Sequence, residues 1–202
     1  MTYPAIFDVD PPPATYRRAN VALRVLILAV LAIAGLPLGW IFGFVYLALP
    51  VMAAAIVSRR GGEAYVRDWA PKLSGWLAWL FGLYAFLGLL TDRLPGSVAE
   101  PGVRFEVRAD GAPTVASALW RLVTSLPEAI AFCFLGGIAG LLWLLGAATI
   151  LIDERVPGWV TSFQRGVIRW QARLLAYHAS LVDTYPPFSF DTGPEPSAEA
   201  RS

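Results

Sequence analysis

Residues Ala129–Ile152 read AIAFCFLGGIAGLLWLLGAATILI, a run of 24 residues without a charge. About 20 predominantly apolar residues suffice to cross the hydrocarbon core of a bilayer, so this stretch predicts a membrane span. Gly136, Gly137 and Gly140 give it small surfaces for close helix contact, and Asp153-Glu154-Arg155 ends it. The rest of the chain agrees. Of the 202 residues, 56% are apolar and only 15% charged, whereas a soluble domain carries about 25% charge. Mean hydropathy is +0.56.

Working outward, Val21–Val57 is apolar apart from Arg24 and too long for one upright span. Gly35-Leu36-Pro37-Leu38-Gly39 lies in its middle, where proline removes a backbone donor and glycine loosens the helix. This predicts two spans, about 20–36 and 40–57, joined by a hairpin turn. Leu73–Thr91 predicts a third and Ala129–Ile152 a fourth. Val103–Arg108 alternates in the manner of a short strand, and residues 1–19 read as an extended lead with a proline break at Pro11-Pro12-Pro13. Val115–Leu126 is a mixed helix carrying Trp120 and Arg121. No cleavable signal peptide is evident in this lead, and residues 193–202 form a polar, disordered tail.

Residues 159–182 have helical periodicity with a different chemistry. Arg165, Arg169 and Arg173 recur every fourth residue, while Ile168, Leu175 and Val182 recur every seventh. An apolar stripe opposite an arginine stripe describes a helix lying in the headgroup region. The alternative is an inner helix whose arginines pair with neighbouring helices. Charge is costly at membrane depth, which favours the headgroup position.

The chain also resembles itself. Shifted by 91 residues, Gly75 falls on Gly166, Trp79 on Trp170, Ala85 on Ala176, Asp92 on Asp183 and Pro95 on Pro186. Phe7-Asp8-Val9 is echoed by Phe105-Glu106-Val107. The expected fold is therefore an all-α membrane protein with about four transmembrane helices and an amphipathic interfacial helix. It is built from two diverged tandem repeats, 1–96 and 97–192, each with a short extended lead strand. Arginine and lysine cluster at Arg17, Arg18 and Arg24, at Arg59, Arg60, Arg67 and Lys72, and from Arg155 to Arg173. With four spans all these fall on one side, the cytoplasm by the positive-inside rule, together with both termini. That count sets the two lead strands on opposite sides, a conflict that an inverted arrangement or a second hairpin over 115–152 would remove.

The chemistry visible in the sequence is sparse. Cys133 is the sole cysteine and His178 the sole histidine, so neither a disulfide nor a thiolate metal site is supported. No metal, cofactor or nucleic-acid partner is expected, and no catalytic residues are assigned. Arg165, Arg169, Trp170, Arg173 and Tyr177 are candidates for a lipid-headgroup surface, because guanidinium forks bind phosphate and Trp and Tyr favour the interface. Generic anchoring explains the same residues. Arg24 and Glu128 are polar groups at span edges. Glu128 fits either a proton relay or a carboxylate complementing a helix N-terminus. No serine in a nucleophile elbow is evident to recruit His178.

The segment Gly166-Val167-Ile168-Arg169-Trp170, Arg173, Ala176-Tyr177 and Asp183-Thr184-Tyr185-Pro186-Pro187-Phe188-Ser189 resembles the bacterial membrane family called domain of unknown function 4389. The resemblance is strongest over the C-terminal half. In the first half Leu94 replaces the tyrosine, Gly96 replaces the second proline and the Arg-Trp pair is absent. The resemblance implies a bacterial inner-membrane protein and supplies no activity. The expected role is a non-catalytic accessory or scaffold subunit, with the lipid bilayer and other membrane subunits or further copies of the chain as partners. A small transporter or channel, or an anionic-lipid-binding protein, is the alternative.

Overall fold

The computed structural model describes residues 3–35, 38–109 and 111–190. Along them run β1 (Ala5–Asp8), α1 (Arg18–Ile33), α2 (Leu38–Arg60), α3 (Gly62–Leu87), β2 (Arg104–Val107), α4 (Val115–Thr124), α5 (Leu126–Asp153) and α6 (Gly158–His178). The molecule is mostly helical. The centre of the expected turn at Leu36 and Pro37, and the tail from 193, lie outside the described residues.

The two strands pair with each other. β1 and β2 are antiparallel, with Phe7 opposite Phe105 and Asp8 opposite Arg104. Two short strands are not stable alone, and these are held by what lies beneath them. The rings of Phe7 and Phe105 sit 5.5 and 5.4 Å from that of Phe81 on α3, and β1 also packs on α6. This corrects the four-span arrangement, which set the two leads on opposite sides: they are hydrogen-bonded neighbours.

α3 and α6 form the centre. Leu77, Phe81 and Ala85 of α3 are wholly enclosed, so the apolarity of 73–91, expected as a third span, is satisfied by protein. α6 is buried from Gly166 to His178 except at Gln171. The helix expected in the headgroup layer is therefore the inner one of the two alternatives. Four-residue spacing fixes a shared face and leaves open what that face meets; here it meets β1 and the chain beyond α6. α6 also ends at His178, short of Val182. Ser180 turns left-handed (φ 52°), and the Leu181 and Ser180 amides donate to the carbonyls of Ala176 and Tyr177 at 3.1 and 2.9 Å, a Schellman closure.

The other helices pack around this centre, α2 on both α3 and α6, α5 on α6, and α1 on α5. α2 also lies along α4. α1 has 16 residues and spans roughly 24 Å at 1.5 Å per residue, less than a hydrocarbon core of about 30 Å. Among the described residues two helices are long and apolar enough to cross a membrane, Leu38–Arg60 and Leu126–Asp153. They differ in burial: 44% of the most apolar window of α2 is enclosed, but only 11% of that of α5. α4 begins with a reciprocal cap between Thr114 and Ser117. It passes into α5 through the single residue Ser125, with Pro127 in the first turn of α5, where its missing N–H leaves no bond unmade.

Candidate functional site

Where α4 meets α5, five polar side chains, Tyr46, Ser125, Glu128, His178 and Tyr185, converge at the end of α6. The Ser125 hydroxyl lies 2.7 Å from His178 Nε2, 2.6 Å from the Tyr46 hydroxyl and 2.6 Å from the Arg121 carbonyl. His178 Nδ1 is 2.8 Å from the Tyr46 carbonyl. A carbonyl only accepts, so Nδ1 carries the proton and Nε2 faces the serine with its lone pair. Burial holds the His178 pKa down at about 4 against an ordinary value of 6.5, so the ring is neutral. On the other side of the junction the Tyr185 hydroxyl donates to Glu128 Oε2, and Glu128 Oε1 is buried without a partner among the described residues.

A serine hydroxyl on a carbonyl-oriented imidazole has the relation of a nucleophile to its base. The chemistry stops there, because Ser125 and His178 are both fully enclosed and no substrate atom can approach. This group ties α2, α4 and α6 together. The sequence gives no spacing by which Ser125 and His178 would be paired, since they are 53 residues apart; the one available signal is that each is an isolated polar residue in an apolar setting.

Beside this cluster Arg121 closes the end of α6. Its Nη1 donates to the carbonyls of Tyr177 and Val182 and its Nη2 to Asp183 Oδ1, each at 2.5 Å. The guanidinium carbon stands 4.4 Å from the centre of the Tyr177 ring. Arg24 makes the same contacts at the end of α3. It donates to the carbonyls of Phe86 and Thr91, both at 2.7 Å, and to Asp92 Oδ1 at 2.9 Å, and lies 4.4 Å over the Phe86 ring. Phe86, Thr91 and Asp92 each precede Tyr177, Val182 and Asp183 by 91 residues. In both places a cation meets the carbonyl end of a helix, where dipole and unsatisfied acceptors favour it. Arg24 is thus an enclosed clasp, in place of the span-edge group expected.

Of the residues expected to form a headgroup surface, Arg169, Trp170, Arg173 and Tyr177 are buried inside the molecule and Arg165 is half-buried. Arg169 pairs with Asp8 at 2.8 Å and reaches the Phe7 carbonyl at 3.3 Å. Arg173 donates to the Ser189 carbonyl at 3.1 Å, and Arg165 reaches the Asp10 carbonyl at 3.4 Å. Trp170 stacks among Phe132, Phe188 and Phe190 with centroids 4.8 to 6.0 Å away. Tyr177 packs on Tyr185 at 5.6 Å. These five side chains therefore do not form an exposed stripe. Asp183, Tyr185, Pro186, Pro187 and Phe188 form a strap that folds back over α6: Asp183 on Arg121, Tyr185 on Glu128, and Phe188 on Trp170, with Pro186 buried. Gly166 is needed for this approach, because a Cβ there would stand 2.7 Å from Phe190 side-chain atoms.

Fold and cluster together define a helical protein with, among the described residues, two apolar helices of membrane-crossing length, and with a proline-rich strap folded over α6. Residues 116–189 match the family model of domain of unknown function 4389, so the C-terminal half carries the resemblance, and it runs from α4 to the end of the strap. No curated protein and no solved structure matches the chain.

Proposed function

We propose that this chain is an integral protein of a bacterial inner membrane, composed of two diverged tandem repeats, and that it serves as a non-catalytic accessory or scaffold subunit. The observation that carries this is α5. Only 11% of its most apolar window is enclosed, and Phe134, Ile138, Leu141 and Leu145 form an outward stripe along it. Contiguous apolar surface of this extent is not left to water in a stable soluble monomer; lipid or partner helices must cover it. The two arginine clasps 91 residues apart at their acceptors, and the strand pair that sets Phe7 against Phe105, support the repeat. The sealed serine and histidine support a structural use of the polar cluster.

Cys133 supplies the test, since it is exposed on α5 and is the only cysteine. In sealed native membranes it should resist a membrane-impermeant maleimide and react once the protein is in detergent. Equal labelling in both states would end the membrane-crossing reading of α5. Purification in mild detergent tests the role: a partner retained at fixed stoichiometry supports a subunit, and a lone monodisperse monomer counts against it.

A further inference from the structure

With Arg169 and Arg173 of α6 buried inside the molecule, a second group of guanidinium charges stands at the foot of α1. A pocket of about 600 Å³ opens between the start of α1 and the end of α5, lined by Tyr16, Arg17, Arg18, Asp92, Arg93 and Glu154 among others. Its two carboxylates are engaged. Asp92 accepts from Arg24 at 2.9 Å and from the Arg17 amide at 2.6 Å, and Glu154 takes Arg18 Nε at 3.2 Å. The guanidinium groups of Arg17 and Arg93 make no hydrogen bond or ion pair among the described residues. Arg24, behind Asp92, keeps Nη1 buried without a partner. Four arginines thus stand against two carboxylates.

Comparison with the second clasp shows that the fold does not require these charges. Around Arg121 the corresponding positions are Thr114, Val115 and Thr184, and the clasp closes in the same way. Arg17, Arg18 and Arg93 thus stand beside one clasp and have no charged counterparts beside the other. The location matters as well. If α5 crosses the membrane, its charged end Asp153-Glu154-Arg155 emerges in the headgroup layer, just beyond the exposed Leu151 and Ile152, and Glu154 is a wall of the pocket.

We infer that this pocket binds the phosphate of an anionic phospholipid headgroup, held by the guanidinium forks of Arg17, Arg18 and Arg93, with the acyl chains lying along the apolar flanks of α1 and α5. Planar guanidinium groups donate paired bonds to phosphate oxygens, and Leu26 and Ile152 are exposed on those flanks. The inference rests on the membrane-crossing reading of α5, deepens it by naming a ligand class, and moves the lipid site from α6 to the foot of α1.

The test uses the full chain in mild detergent, with native mass spectrometry of bound phosphatidylglycerol and of phosphatidylcholine with the same acyl chains. The wild-type protein should retain phosphatidylglycerol preferentially. Arg17→Gln/Arg18→Gln/Arg93→Gln should lower that preference by about tenfold or more, whereas Arg59→Gln/Arg60→Gln/Arg67→Gln, with the same change in charge, should leave it intact. Arg17→Gln/Arg93→Gln keeps the Arg18–Glu154 pair, so a loss of preference with unchanged thermal unfolding separates binding from folding. Retained preference in both pocket variants, or an equal loss in the control, overturns the proposal. Displacement of the lipid by inorganic phosphate at millimolar concentration would assign the pocket to a soluble anion and also overturn it. Cys133 labelling is read independently, so a failure of the membrane reading and a failure of the pocket are told apart.

Discussion

His178 is the clearest case of a side chain whose chemistry was visible and whose use was not. As the only histidine it drew attention, yet its partners come from α2 and from the α4–α5 junction, at separations no motif encodes. Its burial has a consequence for pH. The folded pKa is about 4 and the unfolded pKa 6.5, so between them the unfolded chain binds more protons. Stability is then fully present above about pH 6.5 and falls as the pH drops towards 4. At 1.36 kcal/mol per unit the shift corresponds to roughly 3 kcal/mol at most. Thermal unfolding in detergent between pH 7.5 and 4 should therefore show a steeper acid loss for wild-type protein than for His178→Asn. Parallel curves would mean that the ring is charged or exposed in the folded state.

At the scale of elements, the two clasps explain why a buried arginine sits near the start of α1 and again in α4. Each replaces the water that would otherwise solvate the carbonyls at a helix end, and each pairs with a carboxylate just past that end. Removing one partner of a buried ion pair leaves the other uncompensated and costs about 3–5 kcal/mol. Arg24→Ala, whose partner Asp92 is also mostly enclosed, should lower stability by that order. Arg121→Ala should cost less, about 1–3 kcal/mol for each carbonyl it leaves unsatisfied, because Asp183 is exposed to water. Arg24→Lys should rescue little, because one ammonium cannot reach two carbonyls and Asp92 in the geometry of a fork. If thermal unfolding of Arg24→Ala matched that of wild type, Arg24 would have no clasping role. α6 shows the limit of reading periodicity. The arginine stripe was correctly placed on one face of a helix, but period alone does not distinguish phosphate outside from acceptors of the same chain such as the Asp8 carboxylate and the Ser189 carbonyl. α3 failed similarly: a run of Trp, Phe and Leu describes a lipid-facing helix and a core helix equally well. α5 was legible as a long apolar helix, and only 11% of its most apolar window is enclosed by the rest of the molecule.

At the scale of the molecule the two halves are interleaved rather than set side by side. The sheet takes one strand from each half. Arg169 of the second half pairs with Asp8 of the first, and the Tyr65 hydroxyl of α3 donates to the Ala179 carbonyl at the end of α6. α2 packs on α4, and α1 on α5. The exchange of contacts between residues 1–96 and 97–192 depends on pairings too distant for local pattern to report. The segment 116–189 that matches the family model therefore lacks, by itself, the strand, the Asp8 carboxylate and the Tyr46 carbonyl that satisfy its buried arginine and histidine. Unpaired buried groups of this kind cost about 1–3 kcal/mol each, more when charged, against a total stability of only about 5–15 kcal/mol. Residues 97–202 expressed alone should fail to give a protease-resistant, cooperatively unfolding species. Co-expression with 1–96 should restore one, with the two pieces co-purifying at equal stoichiometry. A stable, monodisperse fragment 97–202 would show that each half closes on itself, and the contacts described between the halves would then be packing between two finished domains.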